Sequence, residues 1–203
     1  MCSSDLDSLQ LQSGDVVLVR HGETAWSLSG QHTGRTDIPL TQAGEAAARR
    51  LAPWLAPLPF ATVLCSPLQR AIRTAELAGF NADRLRIDPD LLEWNYGAYE
   101  GLSSDEIERR VPGWLVFRDG CPGGESPAQV GERAERVIAR LRGGPGPALV
   151  VAHGHLLRVL LARWIDLPAS EGRRFLLDTA TLNVLSHYRG TPALRCWNVA
   201  PPP

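Results

Sequence analysis

Lysine is absent from this sequence, so all 21 of its basic residues are arginine. Genomic composition bias accounts for the skew, but it has a physical consequence. Any anion site here must be built from arginine, histidine, backbone N–H groups or helix ends. An excess of either charge sign is also missing. The net charge of −1 gives a nucleic acid or an anionic membrane nothing to recognise, and neither is expected as a partner. Cysteine is sparse: Cys2, Cys65, Cys121 and Cys196 form no CxxC pair and no regular spacing. That excludes a zinc ribbon or a disulfide frame and points to reduced thiols in a cytoplasmic protein. No metal-ligand spacing and no internal repeat occurs, and no apolar run reaches transmembrane length. The first twelve residues carry Asp5 and Asp7 without an apolar stretch, so they do not read as a secretory signal.

What is present is an ordinary globular composition, 44% hydrophobic and 21% charged over 203 residues, enough for one domain with an ample core. The chain is organised around Val16-Val-Leu-Val-Arg-His-Gly-Glu-Thr24. Four apolar residues make a short buried strand. Its carboxyl end, where open α/β sheets bind ligands, delivers Arg20, His21 and Gly22 in succession. Arg20 offers a charged fork suited to phosphate oxygens, and His21 a nitrogen that is neutral and nucleophilic near pH 7. Gly22 lets the backbone come close to a ligand.

The expected domain spans residues 15–199, between a loose segment at 1–14 and a proline tail at 200–203. Ala25 to Asp37 reads as a long Gly/Ser/Thr-rich loop with no secondary structure of its own, a type that is usually functional. Thr41 caps a helix to about Ala52, ended or kinked by the proline-rich 53–59 segment. Ala61–Cys65 is a second buried strand, running into a helix with Ser66 as N-cap and Pro67 at its first position. Arg70 then lies near that helix's amino end, at the same sheet edge as Arg20. Leu85–Ile87 is a short strand, Ser103 begins a helix to about Arg110, and Pro112–Arg118 is a turn or short helix. A long amphipathic helix follows at Ser126–Arg142, with Val130, Ala134, Val137 and Leu141 on its buried face. Ala148–Ala152 is another all-apolar strand, ending in His153-Gly-His155 and passing into a helix over 156–165. Thr181–Tyr188 and Ala193–Trp197 close the chain as a hairpin. Strands alternating with helices predict an α/β fold: one three-layer αβα domain with a mostly parallel central sheet and an antiparallel edge hairpin.

Two buried strands therefore each end in a histidine followed by glycine. Side by side in a parallel sheet they bring both imidazoles to one crevice, where Arg70 and a helix amino end add positive charge. Such a crevice suits a dianion. Phosphoryl transfer needs little more than a positioned nucleophile and positive groups aimed at the equatorial oxygens.

Arg20-His-Gly-Glu-Thr24, Ser66-Pro67 with Arg70 and Thr74, Glu93 in a Glu-x-x-Tyr-Gly-x-x-Glu-Gly stretch, and His153-Gly154 resemble the histidine phosphatase superfamily, which includes the cofactor-dependent phosphoglycerate mutases. The resemblance covers about residues 15–190. It implies that His21 attacks phosphorus and carries the phosphoryl group. Arg20, Arg70 and His153 would hold the phosphoryl oxygens, and Glu93 would protonate the leaving alkoxide and later activate water. A carboxyl group partly desolvated by Trp94 and Tyr96 would favour its protonated form. No metal and no cofactor is implied. His32, His155 and His187 have no catalytic role in this scheme, although His155 is a candidate substrate contact.

The sequence departs from the mutases at points that bear on the reaction. Ser27 stands where many relatives have asparagine, preserving a polar contact to phosphate. Ser104 stands where mutases place a lysine, and Glu100 where they commonly have glutamine. The insertion carrying paired arginines is missing, because the chain passes quickly from Glu108-Arg-Arg110 to Gly120. These departures favour hydrolysis of a small phosphomonoester. The alternatives are a phosphoglycerate mutase and, further off, a non-catalytic member that binds a phosphorylated ligand. Gly30-Gln-His-Thr-Gly34, Arg118-Asp-Gly-Cys121 with Glu125, and His153-Gly-His155 look most like actinobacterial acid phosphatases and fungal sedoheptulose bisphosphatases. A sugar phosphate or bisphosphate is then the expected substrate. Ser27, Thr33, Gly34, Tyr96, Gly154, His155 and Arg118 are the expected substrate-binding set, with Arg118 placed for a distal phosphate. Trp26, Trp94 and Tyr99 are candidates for the cleft mouth or for packing. Arg73 and Glu76, three apart on one helix, are expected to form an ion pair. A monomer and a homodimer are both compatible with the sequence.

Overall fold

The strand beginning at Val16 lies deep inside a six-stranded sheet. In the computed structural model, which describes residues 10–201, the strands are β1 (Val16–Arg20), β2 (Thr62–Cys65), β3 (Arg86–Ile87), β4 (Ala148–Ala152), β5 (Leu182–Tyr188) and β6 (Thr191–Val199). Residues 1–9 of the expected loose segment, Cys2 among them, and residues 202–203 of the tail lie outside the described residues. The sheet order is β3-β2-β4-β1-β5-β6. The first four strands are parallel, whereas β5 and β6 run antiparallel as the edge hairpin. The hairpin turn is Arg189-Gly190, with φ of 50° and 84°, the left-handed pair that suits a tight connection.

Both faces of the sheet are covered, which explains why its central strands are apolar throughout rather than alternating. Val16, Leu18 and Val150 face a core shared with α6 (Pro127–Arg142) and α7 (Gly154–Trp164). Val17, Val19, Leu149 and Val151 face the opposite core, under α2 (Gln42–Leu55) and α3 (Gln69–Leu77). Val130, Ala134, Val137 and Leu141 of α6 are buried as the periodicity predicts. Each buried Val, Ile or Leu contributes roughly 1.5–3 kcal/mol, so Val137→Asp would break this layer. The remaining helices are α1 (Ala25–Ser29), α4 (Ser104–Arg110) and α5 (Val116–Asp119).

Three local expectations need correction. The 25–37 stretch is not wholly irregular: α1 opens it, capped by a reciprocal Thr24/Ser27 box and closed by Gly30 at φ 77°. The helix α2 does end within the 53–59 segment, but at Leu55 rather than Ala52, with Pro53 inside it and Leu55 packed into the core at 1% exposure. Ser66 does not cap α3. The helix starts at Gln69 without a side-chain cap, and the Ser66 hydroxyl bonds to His153 instead. By contrast Thr41, Ser103 and Ser126 do cap α2, α4 and α6.

Candidate active site

β1 and β4 are parallel neighbours in a register that pairs Arg20 with Ala152. The next residue of each strand is a histidine, so the sheet delivers His21 and His153 together. Their ring centroids are 5.1 Å apart. His21 is 4% exposed and His153 is fully buried. Gly22 serves packing rather than a ligand: a Cβ there would lie 2.5 Å from the Gly44 carbonyl oxygen at the start of α2. Its N–H donates to Thr74 Oγ1 at 3.0 Å, tying the strand exit to α3.

The hydrogen bonds determine both imidazole tautomers. His21 Nδ1 is 2.7 Å from the Gly22 carbonyl oxygen, which only accepts. Nδ1 therefore carries the proton and Nε2 the lone pair. Burial, then Arg20 and Arg70, hold the His21 pKa well below the ordinary histidine value. For His153 the pattern is reversed. Arg70 Nε donates to its Nδ1 at 3.2 Å, so Nε2–H donates to Ser66 Oγ at 2.7 Å. Burial, then Arg70 and His21, keep this ring neutral as well.

The two arginines differ sharply. Arg70, at the second position of α3, is fully buried and does not line the cleft. Its Nη1 donates to the Thr36 carbonyl at 3.0 Å, and its Nη2 to those of Thr33 and Gly34 at 3.1 and 3.0 Å. It thus locks the 33–36 loop onto His153. Arg20 does line the cleft. Its Nη1 donates to the Leu177 carbonyl at 2.5 Å, while its buried Nε has no partner among the described residues.

Glu93 is 5% exposed. Its Oε1 accepts from the N–H groups of Trp94 (2.8 Å) and Leu156 (2.9 Å), and Oε2 from that of His155 (3.0 Å). The carboxylate therefore caps the amino end of α7, satisfying donors that a helix start leaves without intrahelical partners. Sequence reasoning invoked only desolvation by Trp94 and Tyr96 at this residue and missed the three donors. Beside it, Tyr96 Oη and His155 Nδ1 are 2.5 Å apart in a buried hydrogen bond. Burial raises the Tyr96 pKa and lowers that of His155, so phenol and imidazole are both neutral.

A cleft of about 230 Å³ opens in front of these groups, with His153 and Arg70 buried behind its wall. Ser27, Thr33, Tyr96, Gly154 and His155 line it, as does the pair Arg20 and His21 with Glu93. Gly34 does not. Its N–H donates to Glu100 Oε1 at 2.8 Å, and a Cβ there would lie 2.5 Å from Glu100 Oε2, so it is a close-packing glycine in the loop. Arg118 is not in the wall either: it is exposed and paired with Asp119 at 2.8 Å and with the Gly113 carbonyl. Trp94 belongs to the core and Tyr99 packs on it, so neither forms the mouth.

His32, Ser104 and Arg158, not chosen from the sequence as site residues, do line the cleft. Arg158 was detectable by spacing, because it follows Gly154 by one helical turn on α7. Its guanidinium lies 4.5 Å over the Phe117 ring, and burial lowers its pKa to about 10. Burial likewise lowers the His32 pKa to about 4. No group of three or more His, Cys, Asp or Glu side chains converges as metal ligands would, among the described residues.

The chain is 40% identical over 183 residues to an acid phosphatase of Mycobacterium tuberculosis, covering 88% of this chain and 89% of that one. It is 37% identical over 183 residues to the sedoheptulose 1,7-bisphosphatase of Saccharomyces cerevisiae, covering 74% and 67% respectively. The solved structure of the open reading frame Rv3214 from Mycobacterium tuberculosis superposes with a TM-score of 0.87 at 39% identity, over 92% of this chain and 97% of that one. The family model of the histidine phosphatase superfamily (branch 1) matches residues 16–200, the whole sheet and every group around the cleft. On that match and that fold, this chain belongs to the histidine phosphatase superfamily.

Proposed function

We propose that the protein hydrolyses a small phosphomonoester without a metal, through a phosphohistidine on His21. The observation that carries this reading is the His21 tautomer: its proton is committed to the Gly22 carbonyl, which leaves the Nε2 lone pair for phosphorus. As Nε2 attacks, the bond from phosphorus to the leaving oxygen breaks, and Glu93, entering with a proton on the Oε2 lone pair that its three N–H donors leave free, gives that oxygen the proton. Glu93, now a carboxylate, then takes a proton from water. The water oxygen attacks phosphorus, and the P–N electron pair returns to Nε2.

Arg20 supplies positive charge at the phosphoryl oxygens, and its unpartnered Nε is a donor suited to one of them. His153 presents Nε2–H, a donor it can transfer from Ser66 to a phosphoryl oxygen. Arg70 retains one Nη1 hydrogen beyond its four hydrogen bonds, together with its charge.

The substrate in this reading is a sugar phosphate or bisphosphate. Supporting it are the polar cleft wall of His32, Gln31 and Ser104, and the names of the two relatives above. Arg158 lines the wall and takes the distal-anion role first expected of Arg118. Ser104 stands in the wall where a mutase would have lysine, which favours water over a second sugar hydroxyl as acceptor. The buried free thiols Cys65, Cys121 and Cys196 fit a reducing cytoplasm. No nucleic-acid or membrane partner is proposed, and among the described residues no helix is long and apolar enough to span a membrane.

The test is a screen of phosphoglycerate, sugar phosphates and bisphosphates and an aryl phosphate, with phosphate release and isomerisation measured separately. Release without isomerisation supports hydrolysis, whereas isomerisation that depends on a bisphosphate primer overturns it. Glu93→Gln should slow alkyl phosphates far more than aryl phosphates, whose leaving groups need less protonation. Equal losses sink the acid role.

A further inference from the structure

An arginine sits where the helical pattern of α6 calls for an apolar residue. Arg133 lies on the face that carries Val130 and Val137, one turn from each, and is 8% exposed. Burying a guanidinium is costly unless its charge and all its donors are matched. Here all five N–H groups are engaged. Nε donates to Glu125 Oε1 at 2.7 Å and Nη2 to Glu125 Oε2 at 2.9 Å, a bidentate pair. The remaining donors reach back some forty residues to the backbone: Nη1 to the carbonyls of Asp90 and Leu92, each at 2.8 Å, and Nη2 to that of Glu93 at 3.4 Å. Glu125 grips the same segment from its other side. Its Oε2 accepts from the Asn95 N–H at 2.8 Å, its carbonyl accepts from Trp94 Nε1 at 2.9 Å, and its own N–H donates to the Asn95 carbonyl at 2.9 Å.

The Glu93 carboxylate therefore has two sources of placement. The amino end of α7 orients its oxygens, and the Arg133–Glu125 pair fixes the backbone from which it projects. We propose that Arg133, backed by Glu125, is a positioning residue for the general acid, holding the 90–95 segment so that the Glu93 carboxylate meets the leaving oxygen. An apolar residue would fill the same space more cheaply. A lysine would keep the charge but, as a single point, could not serve a carboxylate and three carbonyls at once. The inference rests on the acid role of Glu93 argued above.

The experiment compares Arg133→Lys, the double variant Arg133→Met/Glu125→Met, Glu93→Gln, and Arg133→Lys combined with Glu93→Gln. Each is assayed on glycerol phosphate and on 4-nitrophenyl phosphate. Arg133→Lys should lower kcat/KM, which reports the step up to phosphorylation of His21, at least about tenfold more on the alkyl ester than on the aryl ester, since misplaced proton donation scales with leaving-group need. Combined with Glu93→Gln it should change the alkyl-to-aryl ratio no further, because the group it positions is already disabled. A folded Arg133→Lys that slows both esters equally, or neither, overturns the positioning role. If that variant does not fold, the double variant, which leaves no unpaired buried charge, is judged by the same ratio. Failure of both to fold makes the pair structural and also overturns the proposal. Equal losses on the two esters in Glu93→Gln alone identify the acid assignment as the part that failed.

Discussion

On the strand side of the cleft, His21 and His153 sit at positions dictated by the register of β1 against β4, and Arg70 on α3 holds His153 from behind. On the loop side, Gln31, His32, Ser104 and Arg158 come from a connection, from the first residue of α4 and from the second turn of α7. Ser104 is exposed and Gln31 and Arg158 are half-buried there, and Ser104 Oγ reaches His32 Nε2 only at 3.4 Å. The difference separates two jobs. The groups proposed to react belong to the part of the molecule that cannot shift without disturbing the sheet. The groups that would read the rest of a substrate sit on loops and helix ends outside the sheet, where they can vary without changing its register.

Variants on the two walls should therefore differ in kind, and the largest effect belongs to the strand side. His21→Ala is expected to lower phosphate release by at least about 10³-fold while the protein stays folded, as loss of a nucleophile does. Full activity in that variant would break the comparison outright.

Arg20, which lines the cleft, and Arg70, buried behind it, offer a sharper contrast. Arg70→Met leaves three loop carbonyls, that of Gly34 buried, and His153 without their donor. At roughly 1–3 kcal/mol per stranded group, the melting temperature should fall by about 10 °C or more. Arg20→Met should instead cut kcat/KM by about 10²-fold with a smaller change in melting temperature, because it strands one carbonyl, that of Leu177, and its Nε has no protein partner. The reverse order in thermal melts would show that the two roles have been exchanged.

Acid should loosen the site next. His21, His32, His153 and His155 all have lowered pKa values, chiefly from burial. Between about pH 6.5 and the lowered values, the unfolded chain binds protons that the folded one refuses. Stability is thus complete above about pH 6.5 and is lost as pH falls. His32 alone, lowered to about 4, removes up to roughly 2 kcal/mol by pH 5. A melting temperature unchanged between pH 7 and pH 5 would contradict this.

Smaller still, Arg158→Ala should raise KM about tenfold for a substrate with a second anion and leave an aryl phosphate almost untouched; equal effects on both would remove its distal role. The smallest effect is expected at the surface, where Arg73 pairs with Glu45 at 2.9 Å and Glu76 at 3.4 Å. Arg73→Ala should leave the melting temperature unchanged within error, since exposed ion pairs contribute little.

Much of this could be read in advance. The strand VVLVR, the Thr41 cap, the helix starts near Ser103 and Ser126, the buried face of α6 and the Arg73–Glu76 pair follow from local rules that act within a few residues. Ser66 escaped those rules because its hydroxyl had a better partner 87 residues away in His153. Arg118 looked like a phosphate ligand by its motif, yet Asp119 beside it takes its charge. Arg133 gave a visible signal, a charge on an apolar stripe, but its partners lie in a different loop.

By itself the sequence determined which chemical groups exist and the period of each element: two apolar strands ending in histidine, an arginine near a helix start, and no lysine to take its place. Only the tertiary structure decided which nitrogen of each imidazole carries the proton, which arginine is buried behind the site and which faces it, and what holds Glu93. Those are properties of hydrogen bonds between residues tens of positions apart, and a linear pattern carries no record of who donates to whom.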